Sequence, residues 1–514
     1  MMRLAMDHIL TDEEDSMTQK NKTIALLSMV ILTAVLMAGC GSNAGSSSSS
    51  DASTPVQSGS VVAFGTDAPV CDVESFMVTI TSASLVPQGG GTPVPFITST
   101  SPATVDFARL VDFTNILNTA GVAPTTYSQL QMTLTNPQLV VVNTSVSPPA
   151  PQQVATTLTT TNFTVNISPA LVVSSSTTSG LTIDFNLRKS VQVDGNGQVT
   201  GTVDPQFTIS ANTPSGSTVG EATSLYGIAG TPSTTGIPSG FTGSFPLTVR
   251  DGTGQTLTVL VNSSTVFEGD GVTSFGDLQP NTFVEVDATV DTSGDIIAQT
   301  VDSEEQVSTT DQKSAFLGRI INITRDGSGN ATSFTLLVHD EIPDMNGTIP
   351  LHSGLNVALS SSTTFFTNWQ HWNRAAFKLS PTTLGLAEKV AVFGTLGSGS
   401  PPTMNARVVF LRPRNVLGNF NTLITAGSDG KTGGFTMTPC GSLFGGTPIT
   451  VLTYDDTRFN NIAGLVNLTP SPTINVFGDL FYEQTSGTAA AANGAGWTAP
   501  TWVMQARGIH QLPN

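Results

Sequence analysis

Three stretches of this 514-residue chain repeat one order of features, and that repetition limits the fold more than any other property of the sequence. Each opens with a short apolar run around a glycine: LYGIAG from Leu225, FLGRII from Phe316 and VLGNFN from Val416. A turn-linked hairpin follows, then a threonine two positions before a phenylalanine: Thr265 and Phe267, Thr364 and Phe366, Thr457 and Phe459. Next comes a Val-rich run, FVEVDATV, VAVFGTL or INVFGDL, and then a closing run with a small residue, IIAQTVD, MNARVVF or VMQARGI. A period of about 90 to 100 residues makes each copy a domain rather than a turn of a solenoid. Apolar residues alternate within the copies, as in Phe283, Val284, Val286 and Ala288 or Val390, Val392 and Gly394, with no helical period. Short strands in so small a unit must hide their edges by closing on themselves. The expectation is three small β-barrels, at 222–306, 314–413 and 414–514.

Residues 60–212 read differently. The stretch VVAFGTDAPVCDVESFMVTITSASLVP gives a strand, a sharp Asp-Ala-Pro turn, and a long strand with Phe76, Val78 and Ile80 on one face. In that turn Asp67 can accept hydrogen bonds from nearby backbone, and Pro69 fixes the chain direction. ATVDFARLVDF and TTYSQLQMTL add further strand-like runs. This order resembles the TDAP-type domain of unknown function that follows the tether of many bacterial lipoproteins, and the resemblance implies an immunoglobulin-like or transthyretin-like β-sandwich. The three repeats resemble a family of small β-barrel repeats of unknown function, found in tandem in exported bacterial proteins. Neither resemblance carries a catalytic residue or a ligand. The expected fold is all-β, a sandwich followed by three barrels in tandem.

An apolar run from Thr23 to Ala38 follows Lys20 and Lys22 and ends at Gly39-Cys40. It is short for a membrane span and reads as the apolar core of a signal peptide covering 1–39. LMAGC resembles a lipobox, which implies cleavage between Gly39 and Cys40 and acyl chains, palmitate among them, on Cys40. Asp7, Asp12, Glu13, Glu14 and Asp15 make the first residues acidic where export needs a basic segment, so translation is expected to begin at Met17. Residues 40–59 are Ser- and Gly-rich and read as a flexible tether. With Gly41 after the lipid-bearing cysteine, the expected address is the outer membrane of a two-membraned cell, with the body outside the cytoplasm.

With 19 Lys+Arg against 37 Asp+Glu, the net charge is −18, and the basic residues are scattered. Nucleic acid is therefore not an expected partner, because phosphate backbones need clustered Lys and Arg. Besides Cys40 the chain has only Cys71 and Cys440, which fall in different expected domains. An envelope compartment permits a bridge, but two separate buried thiols are the favoured reading.

Four Asp-Gly turns, at Asp194, Asp251, Asp326 and Ser428, carry oxygens that could bind calcium, but they lack the ligand spacing of a calcium loop and read as plain turns. His339, Asp340, Glu341 and Asp344, with His352 nearby, could begin a metal site and are read as a solvated loop. In NWQHWNRAAF, residues Trp369, His371, Trp372 and Arg374 form a candidate contact loop for sugar rings or a protein, with core packing as the commoner fate of such aromatics. Trp497 and Trp502 are weighed the same way. GxSxG, HExxH and CxxC motifs are absent, and no cofactor is called for. The functional expectation is a membrane-anchored, non-catalytic modular protein that contacts envelope protein or polysaccharide. The alternatives are a surface hydrolase with an unrecognised carboxylate pair, or a passive spacer.

Overall fold

The computed structural model describes residues 58–512, except 68–69, 111–113, 196–197, 250–254, 270–271, 307–312, 343–348, 368–376, 470–472 and 489–494. Cys40 and the rest of the leader and tether lie outside the described residues. So do Pro69 and the loop carrying Trp369, His371, Trp372 and Arg374, while the backbone of Asp67 ends the first strand. Among the described residues no helix is long and apolar enough to cross a membrane. Among the described residues the one α-helix has four residues, Leu187–Ser190, and the rest is nearly all β.

The N-terminal module has two layers. Strands Asn115–Val122, Gly59–Asp67, Thr178–Phe185 and Phe207–Ala211 form one, and Val73–Pro87, Thr126–Asn143 and Asn162–Val172 carry the other. They join where Ile209 pairs with Ile167. Phe76, Val78 and Ile80 are fully buried, so the alternation read from the sequence sets the inward face of the long strand. Phe185 stacks between Phe76 and Phe107, with ring centroids 5.2 and 4.8 Å away.

Three six-stranded sheets follow, all with one strand order. The first strand of each (Thr218–Ala229, Lys313–Arg325, Arg414–Ala426) pairs antiparallel with the second (Gly243–Val249, Ala331–Ile342, Gly433–Pro439) and the fifth (Thr282–Asp291, Lys389–Leu396, Thr473–Glu483). The closing strand (Ile296–Gln306, Thr403–Arg412, Thr501–Gln511) runs antiparallel to the fifth and parallel to the third (Thr256–Val261, Gly354–Ala358, Ile449–Thr453), which completes the ring. A short fourth strand lies parallel to the closing strand further along the same edge. Leaving that fourth strand aside, this is the connectivity of a five-stranded Greek-key barrel of the OB type.

The repeated residues hold this closure together. Thr265, Thr363 and Thr457 each donate from Oγ1 to the carbonyl of the small residue in the closing strand, Ala298, Ala406 or Ala506, at 2.8, 2.8 and 2.9 Å. The same hydroxyls accept from the backbone N–H three residues earlier, at Asn262, Ser360 and Tyr454, so each fixes a tight turn and pins it to the barrel wall. In the second copy the equivalent residue is Thr363, not the adjacent Thr364 of the sequence reading. Its aromatic is accordingly Phe365, packed against the core, while Phe366 is 46% exposed. The glycines of the opening runs have an equally local reason. A Cβ at Gly227, Gly318 or Gly418 would lie 2.6, 2.1 or 2.5 Å from a carbonyl oxygen of the second strand, closer than real contacts allow.

The modules are packed together rather than strung out. Val62 and Phe64 of the N-terminal module enter the core of the first barrel. Tyr226 and Phe283 of that barrel pack with Phe393 and Phe410 of the second. Trp497 lies against Phe377 of the second barrel at 5.4 Å and donates to the Thr485 carbonyl. Trp502 packs on Phe444 and Tyr482 and donates to the Leu386 carbonyl. Both tryptophans therefore serve packing.

Candidate functional site

The junction between modules holds most of the buried charge. In the second barrel, Arg319 pairs across the sheet with Lys389, and Lys389 with Arg412, which sets three cations side by side on neighbouring strands. Like charges directly opposite one another destabilise a sheet. Here each end of the row is held by a carboxylate from another module: Glu74 of the N-terminal module binds Arg319, and Glu285 of the first barrel binds Arg412. Glu74 is 3% exposed and Arg412 wholly buried, so the carboxylates fasten the modules as well as neutralising the row.

Burial alone would raise the Glu74 carboxyl, but Arg319, His339 and Arg414 outweigh it and hold the group below its ordinary range. Burial pushes His339 down to about 4, with Arg319 and Arg109 adding to the effect and Glu74 opposing it. At neutral pH the pair is an ionised Glu74 beside a neutral imidazole, with 3.7 Å between Nε2 and Oε2. The same logic recurs at Asp106: burial would raise it, and the contact with His352 at 3.6 Å, Arg109 and Ser75 keep it low.

This corrects the expectation for HDEIPDMNG. His339, Asp340 and Glu341 are not in a solvated loop; they end the second strand of the second barrel and are 7, 9 and 4% exposed. Asp344 lies outside the described residues. Among the described residues no three His, Cys, Asp or Glu side chains come together as a metal site. The Asp-Gly sequences form side-chain-capped turns: Asp326 Oδ1 accepts from the N–H of Ser328 and Asn330 at 2.8 and 2.9 Å, and Asp429 does so from Lys431 and Thr432. Asp194 likewise accepts from the Gln198 N–H, and Asp251 lies outside the described residues.

The cysteines also require correction. Cys71 and Cys440 are bridged, with Cα atoms 5.5 Å apart, and tie the N-terminal module to the third barrel. Beside the bridge, Asp72 Oδ1 accepts from the Ser442 N–H at 2.7 Å and from its hydroxyl at 2.9 Å. The expectation of separate thiols rested on distance in sequence, and module packing removes that distance in space.

The bridge forms part of the wall of two cavities. One, of about 110 Å³, lies between the N-terminal module and the second and third barrels, where Glu74, Arg109, Arg319, His339, Lys389 and Arg414 face it. The other, of about 680 Å³, runs between Val141–Ser145 of the N-terminal module and the third barrel at Leu417 and Ser442. Among the described residues burial raises six carboxyls, Asp302 to about 7 and Asp184, Asp295, Glu388, Asp479 and Glu483 by direction, and none of the six lines either cavity.

His339 gives the junction a measurable acid response. Its folded-state value lies below that of an unfolded histidine, so the stability it confers is present above about pH 6.5 and is lost as pH falls towards 4. Asp302, raised to about 7, acts in the opposite sense over an overlapping range, its contribution being lost as pH rises through 7. A His339→Gln variant isolates the first effect. Between pH 7 and pH 4 the parent is expected to lose up to about 3 kcal/mol more unfolding free energy than the variant. Parallel denaturant curves at the two pH values check this, and equal losses would show that His339 is protonated without penalty.

Residues 58–200 match the family described as "Domain of unknown function (DUF4382)", and residues 243–302 match "Domain of unknown function (DUF5666)". No curated protein matches the chain. The first match covers most of the N-terminal module and the second most of the first barrel, whose strand order and threonine lock recur in the two barrels after it.

Proposed function

We propose that the chain is exported, held on a bacterial envelope membrane by lipid on Cys40, and acts there as a non-catalytic body that contacts protein or glycan. The observation that carries the address is the Cys71–Cys440 bridge, because such bonds persist in oxidising compartments and are rare in the cytosol of mesophiles. The lipobox-like LMAGC and the Ser-rich tether after it support the same reading. The contact role draws on the barrels. Five-stranded barrels of this connectivity present a strand face and loops that bind oligosaccharides in other proteins, a parallel of fold alone. The NWQHWNRAAF insertion offers Trp369, His371, Trp372 and Arg374 as the side chains for such contact.

Metabolic labelling with a palmitate analogue is expected to tag the full chain and to fail on Cys40→Ser, which should leave the membrane fraction. Label on the Cys40→Ser protein, or an unlabelled soluble parent, would overturn the anchor. The labelled protein should bind a component of an envelope polysaccharide or outer-membrane protein panel, with loss in a Trp369→Ala/Trp372→Ala variant. Binding that survives this change would place the contact elsewhere.

A further inference from the structure

We propose that the 110 Å³ cavity where the N-terminal module meets the second and third barrels is a binding site for a compact oxyanion of the phosphate or sulfate class. The inference goes beyond the reading above and does not depend on the lipid anchor.

The walls carry four cationic side chains drawn from three modules: Arg109, Arg319, Lys389 and Arg414. Against them stand two carboxylates, Asp72 and Glu74, and both are engaged in holding modules together. Asp72 takes the N–H and hydroxyl of Ser442, and Glu74 faces Arg319 and His339. Among the lining residues cations outnumber carboxylates four to two in a chain whose net charge is −18, with Asp340 meeting Arg109 at 3.8 Å, and such a local excess draws in anions. Sheet register forces part of this arrangement: Arg319 and Lys389 are direct cross-strand partners, so adjacent strands bring two cations to the same cavity wall.

Size and chemistry agree. A cavity of 110 Å³ holds a few waters or one compact oxyanion. Guanidinium groups suit such ions because their forked N–H groups match oxyanion oxygens in pairs. Arg414, 7% exposed, is aimed by its bonds to the Ala387 and Asn415 carbonyls, so its place in the wall is fixed before any ligand arrives. Lys389 is half-buried with its ammonium 5.1 Å from the Tyr226 ring centre; burial, Arg109, Arg319 and Arg414 bring it down to about 7 against the opposing pull of Glu285, and an anion beside it would raise it again.

The test is calorimetric titration of the full chain, in mild detergent, with inorganic phosphate and with sulfate, against chloride at matched ionic strength. Saturable heat with phosphate or sulfate, absent with chloride, is expected. Affinity should fall at least tenfold in Lys389→Gln and in Arg109→Gln, and stay unchanged in the control Lys378→Gln, an exposed lysine outside the cavity. An equal response to chloride, or affinity unchanged in both cavity variants, would overturn the proposal. A measurement on the unsubstituted chain guards against misfolding of the variants. Phosphate should slow reductive methylation of Lys389 several-fold, read by peptide mass spectrometry, without slowing that of Lys378. Equal rates with and without phosphate would overturn it as well.

Discussion

Arg412→Ala is expected to cost about 3–5 kcal/mol of stability and to loosen the first barrel from the second, because it strips the partner from a buried charge. Arg412 is wholly buried at the end of a closing strand, bound to Glu285 and lying over the Tyr226 ring at 4.7 Å. Its removal leaves Glu285 and Asp302 facing one another as cross-strand partners, with Arg507 and Lys389 among the cations nearby. Asp302 is already raised to about 7, first by burial and then by its acidic neighbours Glu285 and Glu268, with Arg412 among the cations holding it down. The variant should therefore be most damaged above pH 7, where that proton is lost. Denaturant unfolding of parent and variant at pH 6 and pH 8 measures this. A double change, Arg412→Met with Glu285→Met, removes both charges and should recover most of the loss, since well-packed apolar pairs replace buried ion pairs at little cost. A single variant as stable as the parent would mean that water reaches the site and screens Glu285.

Cys440→Ser should lower stability by about 2–5 kcal/mol, the range seen when a native bridge is removed. The bond joins residues 369 apart, so reduction frees the unfolded chain over most of its length. Its effect on the folded state should be local. The N-terminal module and the third barrel keep the Asp72–Ser442 bonds and lose their covalent tie, so proteolysis should first reach the segments around Cys71 and Cys440. Unfolding midpoints with and without reductant give the magnitude. The serine variant should match the reduced parent. Identical midpoints for oxidised and reduced parent, with two thiols titrating in each, would show that the bridge does not form.

Much of the fold was legible because repetition exposes what closure demands. A glycine that lets two strands touch, a threonine that ties a turn to the wall and a small residue that receives it recur in order at Gly227, Thr265 and Ala298, and again in the next two copies. The slip at Thr363 and Thr364 is equally informative. Two adjacent threonines fit the pattern alike, and only the hydrogen bond to Ala406 separates them. What the sequence could not display was the packing of modules. His339 and Glu341 looked like a loop because polar residues usually meet water, yet both are buried in the fold, and His339 meets Glu74 of another module. Nothing local marks Glu74 as a partner of Arg319, 245 positions away. The cation row was hidden for the same reason. Arg319, Lys389 and Arg412 become neighbours only through strand register, and no spacing rule links them. Trp497 and Trp502, weighed as contact residues, have their ring N–H groups on backbone carbonyls of the chain itself, at Thr485 and Leu386.

The long reach of the Cys71–Cys440 bond sets a timetable for making the protein. At roughly 5–20 residues per second, Cys440 leaves the ribosome about 20–70 s after Cys71, and through that interval the earlier thiol has only Cys40 as a rival partner. Three cysteines allow three pairings, and acylation of Cys40 would leave one. The lipid proposed on Cys40 would then block both wrong pairings by occupying the thiol they need, as well as anchoring the chain.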